Sequence, residues 1–302
     1  MKKLLIIVIL IFLLSACNLP QGSQSNDPTK TPTLAIPTAT QTPVPPPTPT
    51  EIAYVATVNG EGILRDSYDI LHFQYIQALE NGADLPDDGL EIQMAVIDEL
   101  VYRLLLSQAA REGGFETSAE ILAQRITDLE TDMGGSDTLD LWISEQGYTR
   151  ETFGRELSIE IEAAWQREQI IINFPTSAEQ VRARQVHFYD PYLANRAYGQ
   201  LLDGASFETI ARNNDPNGYG YLGWFPRNYL LIPEVEEAAF ALQPGEHSDL
   251  IEIEAGYFLV EVIEREDDRP LQYDALLALR GLALEEWLME KYTNSNIEIL
   301  GQ

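Results

Sequence analysis

Cysteine is nearly absent from this chain of 302 residues: Cys17 is the only one. One thiol cannot form an internal disulfide, so the folded part must be held by an ordinary core. Basic charge is scarce too, with 19 Lys and Arg against 48 Asp and Glu and a formal net charge of −29. Phosphate backbones demand a basic surface, which argues against nucleic acid as a partner. The same deficit argues against adhesion of the protein surface to anionic lipid headgroups. Lysine nearly vanishes after the first three residues, and Arg supplies most of the remaining positive charge. The histidines are His72, His187 and His247. No cluster has metal-ligand spacing, and there is neither a phosphate loop nor a Ser-His-Asp pattern. No metal or cofactor is therefore expected. The apolar run Leu4 to Leu14 is too short to cross a bilayer core, which takes about 20 residues.

That run follows a basic start, Met1-Lys2-Lys3, and precedes the small residues Ser15-Ala16. Basic, then apolar, then small is the layout of a secretory signal peptide. Leu14-Ser15-Ala16-Cys17 resembles the bacterial lipobox, which implies cleavage before Cys17 and a diacylglyceryl group on its thiol. Residues 1–17 are read as a lipoprotein signal and the chain as extracytoplasmic, anchored to the bacterial cell membrane through that lipid. Residues 18–50 are dominated by Pro and Thr, as in Thr42-Pro43-Val44-Pro45-Pro46-Pro47. Proline removes backbone donors and favours extended polyproline II, so this segment reads as a stalk. Fully extended at ~3.1 Å per residue, it would reach on the order of 100 Å.

Order begins near Ala53. Tyr54 to Val58 predicts a short strand, and Asn59-Gly60 is a strong turn signal. Ile92, Val96, Leu100 and Leu104 fall at four-residue steps, one face of a helix. Phe153, Leu157, Ile161 and Trp165 repeat the pattern after Thr149, a plausible N-cap. The pattern changes after Pro175. Residues 181–188 predict a strand, and 193–202 and 206–213 predict two short helices. Leu222-Gly223-Trp224-Phe225, a helix around 234–242, a Pro244-Gly245 turn and two strands near 248–253 and 257–263 follow. The order β-α-α-β-α-β-β is a compact α+β unit. After Pro270 a long helix returns, carrying Tyr273, Leu276, Leu277, Leu284, Trp287 and Leu288 at helical spacing. It needs an apolar partner, and the N-terminal helices are the natural one. The α+β unit, residues 176–266, therefore reads as an insertion into a helical domain of residues 51–175 completed by 267–302.

Several short motifs in the middle carry a family resemblance. They are Val181-Arg182-Ala183-Arg184, Gly204-Ala205-Ser206-Phe207-Glu208, Asp215-Pro216 and Gly220-Tyr221-Leu222-Gly223-Trp224-Phe225. Glu236-Glu237-Ala238-Ala239-Phe240-Ala241-Leu242-Gln243-Pro244-Gly245 and Gly256-Tyr257 complete the set. In this order and spacing, residues 181–264 resemble a parvulin (PpiC-like) peptidyl-prolyl cis-trans isomerase. The helical flanks, starting at Val55-Ala56-Thr57-Val58-Asn59-Gly60, resemble the chaperone part of the SurA and PrsA foldases. The resemblance implies a SurA-like helical chaperone domain with a parvulin-like insert. Its implied partners are unfolded or nascent exported polypeptides, and its implied substrate is their X–Pro bonds.

The resemblance also implies an apolar cup for the proline ring opposite a polar cluster. It places Leu222, Trp224, Leu231, Val235, Phe240 and Phe258 on the substrate side. The polar cluster departs from the family. Where parvulins carry a first-strand His this chain has Gln185, and where they carry a second His it has Phe258. The Thr or Ser often found just before that second His is replaced by Ile253. Asp215 keeps the acidic position, and His187 lies two residues beyond Gln185, hence on the same face of a strand. Gln185, His187 and Asp215 are the catalytic candidates. Two alternatives stay open: an isomerase whose activity these substitutions attenuate, or a holdase that keeps the fold as a binding module.

Overall fold

The computed structural model describes residues 53–300. The signal peptide, Cys17 and the stalk lie outside the described residues. Asn59 and Gly60 both take left-handed angles, φ 53° and 86°, and turn β1 (Tyr54–Val58) back onto β2 (Glu61–Leu64). Five helices follow: α1 (Arg65–Glu80), α2 (Gly89–Glu112), α3 (Ala119–Asp132), α4 (Ser136–Glu145) and α5 (Arg150–Ile172). Their starts are local chemistry. The Asp88 carboxylate accepts the Leu90 and Glu91 N–H groups at 3.0 and 3.4 Å. Thr149 and Thr152 cap each other reciprocally at the head of α5.

The four-residue stripe of α2 is buried throughout. In α5, Phe153 and Leu157 are buried, whereas Ile161 and Trp165 are half-buried. Trp165 instead stacks flat on Phe115, ring centres 5.1 Å apart, over the Gly113-Gly114 helix end. The returning helix α9 (Tyr273–Asn294) packs against α2 and α5, with Leu288, Leu106 and Ala163 in one buried cluster. After it, β7 (Ile297–Ile299) pairs with β1, giving a three-stranded sheet in the order β2-β1-β7. Both ends of the described chain thus close one helical body.

Between α5 and α9 lie β3 (Ser177–Phe188), α6 (Pro191–Leu202), α7 (Phe207–Asn214), β4 (Tyr221–Pro226), α8 (Pro233–Ala241), β5 (Ile251–Ile253) and β6 (Gly256–Pro270). The four strands form an antiparallel sheet in the order β4-β3-β6-β5. One face carries Val186, Phe188 and Leu259 against α6 and α7. The other carries Val181, Ala183, Phe225, Val260 and Val262 against Val235, Ala239 and Phe240 of α8. Arg265 closes α8 from the sheet side, donating to the Phe240 and Leu242 carbonyls at 2.8 and 2.7 Å. The architecture is α+β, with the mixed unit inserted in the helical one. The elements of the unit follow the expected order β-α-α-β-α-β-β, whereas β2 and β7 were not anticipated.

Candidate functional site

Strand alternation builds the polar side. Val181 and Ala183 face α8, and Val186 and Phe188 face α6 and α7. Gln185 and His187, at the intervening positions, therefore lie on the α8 face. The register sets Gln185 opposite Val260 and His187 opposite Phe258. The His187 ring stacks on Phe258, 4.2 Å between centres at an interplanar angle of 4°. Its Nε2 lies 2.9 Å from the Ala255 carbonyl oxygen. A carbonyl only accepts, so Nε2 carries the proton and, in the neutral ring, Nδ1 is left as an acceptor. Tyr189, 83% exposed, tilts against the same imidazole, 4.4 Å between ring centres. Phe258, standing where the resemblance implies a second His, is only 2% exposed beneath this stack.

Asp215 sits at the C-terminal end of α7 and organises the loop that follows. Its carboxylate accepts the Gly218 and Gly220 N–H groups at 2.9 and 3.1 Å. These backbone donors hold its pKa below the ordinary carboxylate value, Gly218 contributing most. Gly220 in turn accepts the Gln185 N–H at 2.8 Å. A Cβ at Gly220, where φ is +66°, would fall 2.0 Å from the Gln185 carbonyl oxygen, so only glycine fits. Asp215 and Gln185 are thus linked through Gly220. Among the described residues no direct hydrogen bond joins the side chains of Gln185, His187 and Asp215. His187 is tied to the β5–β6 turn instead.

The apolar candidates divide by environment. Val235, Phe240 and Phe258 are buried parts of the α8-face core. Phe240 meets Phe225 edge-on, with the Arg227 guanidinium 4.1 Å from its ring centre. Leu222 is half-buried against the same core. Trp224 pairs in register with Arg182, so it lies on the opposite face, under the Arg269 guanidinium at 4.2 Å. Leu231 stands fully in solvent. Two features had no sequence reading. Tyr189 is marked only by ending an alternating strand. Glu236 opens a motif that carries the family resemblance, with no role of its own legible in the sequence.

The helical body carries a cleft of about 700 Å³ between β2, α1, α2, α3 and α5. Leu100, Leu104 and Ile159 supply apolar wall. Two acids on α5 with little exposure line it: Ser67 donates to Glu156 at 2.6 Å, and Ser107 donates to Glu162 at 2.5 Å. Glu162 also accepts the Thr117 N–H at 3.0 Å. Among the described residues, no group of three or more His, Cys, Asp or Glu side chains is gathered as a metal site, and no helix is long and apolar enough to cross a membrane.

A four-stranded antiparallel sheet with two helices on one face and one on the other is the frame the sequence leads one to expect of a peptidyl-prolyl isomerase domain. Residues 167–276 match the family model described as the PPIC-type PPIASE domain, and residues 33–164 match the SurA-like N-terminal domain. Each model covers less than half of the chain, and the chain is similar to relatives named as foldases and chaperones. It is 27% identical to the Foldase protein PrsA of Halalkalibacterium halodurans over 233 residues, 68% of this chain and 69% of that one. It is 35% identical over 91 residues to the Foldase protein PrsA of Caldanaerobacter subterraneus subsp. tengcongensis, a match spanning 28% of this chain and 29% of the relative. The crystal structure of PrsA from Bacillus cereus is similar at 14% identity, covering 81% of this chain and 87% of that chain, with a TM-score of 0.43.

Proposed function

We propose that this protein is an extracytoplasmic foldase, tethered to the membrane by a lipid on Cys17, that isomerises X–Pro bonds in unfolded exported polypeptides. The observation that carries this reading is the joining of a PPIC-type domain to a SurA-like domain in one chain. Rotation about the prolyl amide faces a barrier of about 18–20 kcal/mol from C–N double-bond character. No covalent step is needed. The enzyme holds the proline ring against apolar wall and favours the twisted amide with preorganised polar groups. Leu222 and Leu231 form that wall in this reading. The Gln185 amide donates to the substrate carbonyl, Asp215 fixes the adjoining loop through the Gly218 and Gly220 N–H groups, and His187 props Phe258 and the β5–β6 turn. The 700 Å³ cleft of the helical body takes apolar client segments.

A second reading, a holdase that has lost most catalysis, is favoured by one specific feature. Phe258 fills a family histidine position and lies buried under His187. A proline-limited tetrapeptide assay separates the two. The isomerase reading expects acceleration over the uncatalysed rate, and a drop of roughly tenfold or more in Asp215→Ala, because displaced catalytic groups lose rate steeply. An uncatalysed rate in the presence of enzyme defeats it. Suppression of client aggregation by a variant lacking residues 176–266 tests the cleft; complete loss of suppression counts against it.

A further inference from the structure

The loop between β4 and α8 ends in Leu230-Leu231-Ile232. Leu230 and Ile232 pack on the α8-face core, whereas Leu231 between them is 100% exposed. The loop that presents this leucine is held tightly. Glu236, in the first turns of α8, accepts the Asn228 N–H on Oε1 at 2.6 Å. Its Oε2 accepts the Tyr229 and Leu230 N–H groups, both at 2.8 Å. One carboxylate thus satisfies three consecutive backbone donors, beginning at Asn228 with its left-handed φ of 62°. A second tether reaches α9, where the Tyr229 hydroxyl donates to Asp274 Oδ2 at 2.7 Å. An apolar side chain on a loop fixed before any ligand arrives has already lost its loop entropy, which favours binding.

We propose that Glu236 is a positioning residue of the isomerase: its carboxylate clamp holds Leu231 out as a fixed apolar lip that contacts the client beside the proline. This rests on the reading above that Leu231 belongs to the substrate wall. The chemistry of the clamp makes it specific to a carboxylate. Both oxygens of Glu236 only accept. In Glu236→Gln one oxygen becomes an NH₂ group, which turns a donor toward either Asn228 or the Tyr229–Leu230 pair.

The test is a double-variant cycle on the full chain, read by KM, kcat and the dissociation constant of a prolyl tetrapeptide in an NMR titration. Glu236→Gln and Leu231→Ala should each weaken KM and the dissociation constant by roughly tenfold, the scale of one apolar contact in a binding site. The lip touches ground state and transition state alike, so kcat should stay within about twofold. The double variant should bind no more weakly than either single one, because both remove the same contact. Losses that multiply, unchanged binding in either single variant, or a fall in kcat at constant KM would each overturn the proposal. Leu231→Ala alters a fully exposed side chain and leaves the core untouched. If Glu236→Gln unfolds the chain, Glu236→Asp, one methylene shorter, takes its place in the cycle. A wild-type chain that binds the peptide without isomerising it defeats the isomerase reading and leaves the lip to be judged on the dissociation constant. A chain that does neither defeats both.

Discussion

Replacing His187 separates the imidazole's chemistry from its packing. Its ring lies flat on Phe258 at 4.2 Å, and its Nε2 donates to the Ala255 carbonyl at 2.9 Å. An aromatic stack contributes about 0.5–1.5 kcal/mol beyond burial. A neutral hydrogen bond contributes about 0.5–1.5 kcal/mol net. His187→Ala removes both and uncovers Phe258, so a loss of about 1–3 kcal/mol is expected. His187→Phe keeps the stack and removes only the hydrogen bond, so it should lose no more than about 1.5 kcal/mol. Thermal unfolding reads the difference, at about 2–4 °C per kcal/mol in a chain of this size. The same pair discriminates in the tetrapeptide assay. Because Nε2 is committed to Ala255, the proposed role of His187 is to hold Phe258 and the β5–β6 turn. His187→Phe should therefore keep most of the activity, and His187→Ala should lose roughly tenfold, as a misplaced site does. A His187→Phe variant as unstable as His187→Ala would refute the stacking argument. One that is stable but inactive would return the imidazole to the chemistry.

Two further outcomes are expected. Glu162→Ala strips the acceptor from the Ser107 hydroxyl and the Thr117 N–H at a position of 5% exposure. It should destabilise the helical body by about 2–4 kcal/mol in urea unfolding, the range for orphaned buried donors to a charged partner; a shift below about 0.5 kcal/mol would mean that the cleft relaxes around the loss. Asp215 has a folded-state pKa lowered by the Gly218 and Gly220 N–H groups. Its contribution is therefore present in full above the unfolded carboxylate pKa, and it is lost as pH falls through the depressed folded value. The Gly218 and Gly220 amide resonances should move together only below the usual carboxylate range, and a midpoint at or above that range would contradict the loop geometry.

Much of the fold was legible because its signals are local. The four-residue stripe of α2, the Thr149 cap and the Asn59-Gly60 turn depend on residues a few positions apart, and each forms as read. The return of α9 to the N-terminal helices followed from its apolar face having no partner nearby. What escaped depends on distant pairing. Ile297–Ile299 is too short to show a period, and it becomes a strand only because β1 offers an edge more than 230 residues earlier.

The candidate site divides the same way. Alternation alone put His187 on the face of Gln185. Only the β3–β6 register put Phe258 beneath it and the β5–β6 turn within reach of Nε2. Simple alternation would also place Leu222 and Trp224 on one face. The irregularity between Ala183 and Arg184 breaks it, leaving Leu222 on the α8 core and Trp224 beneath Arg269. The sequence by itself determined the order of elements and the family the chain resembles, since residue type and short-range period encode these. The tertiary structure alone decided that the Asp215 carboxylate is taken up by backbone N–H groups, that Phe258 is buried and that Leu231 stands free. Register, bulges and loop closure set which atoms meet, and those are properties of the packed sheet rather than of any segment of it.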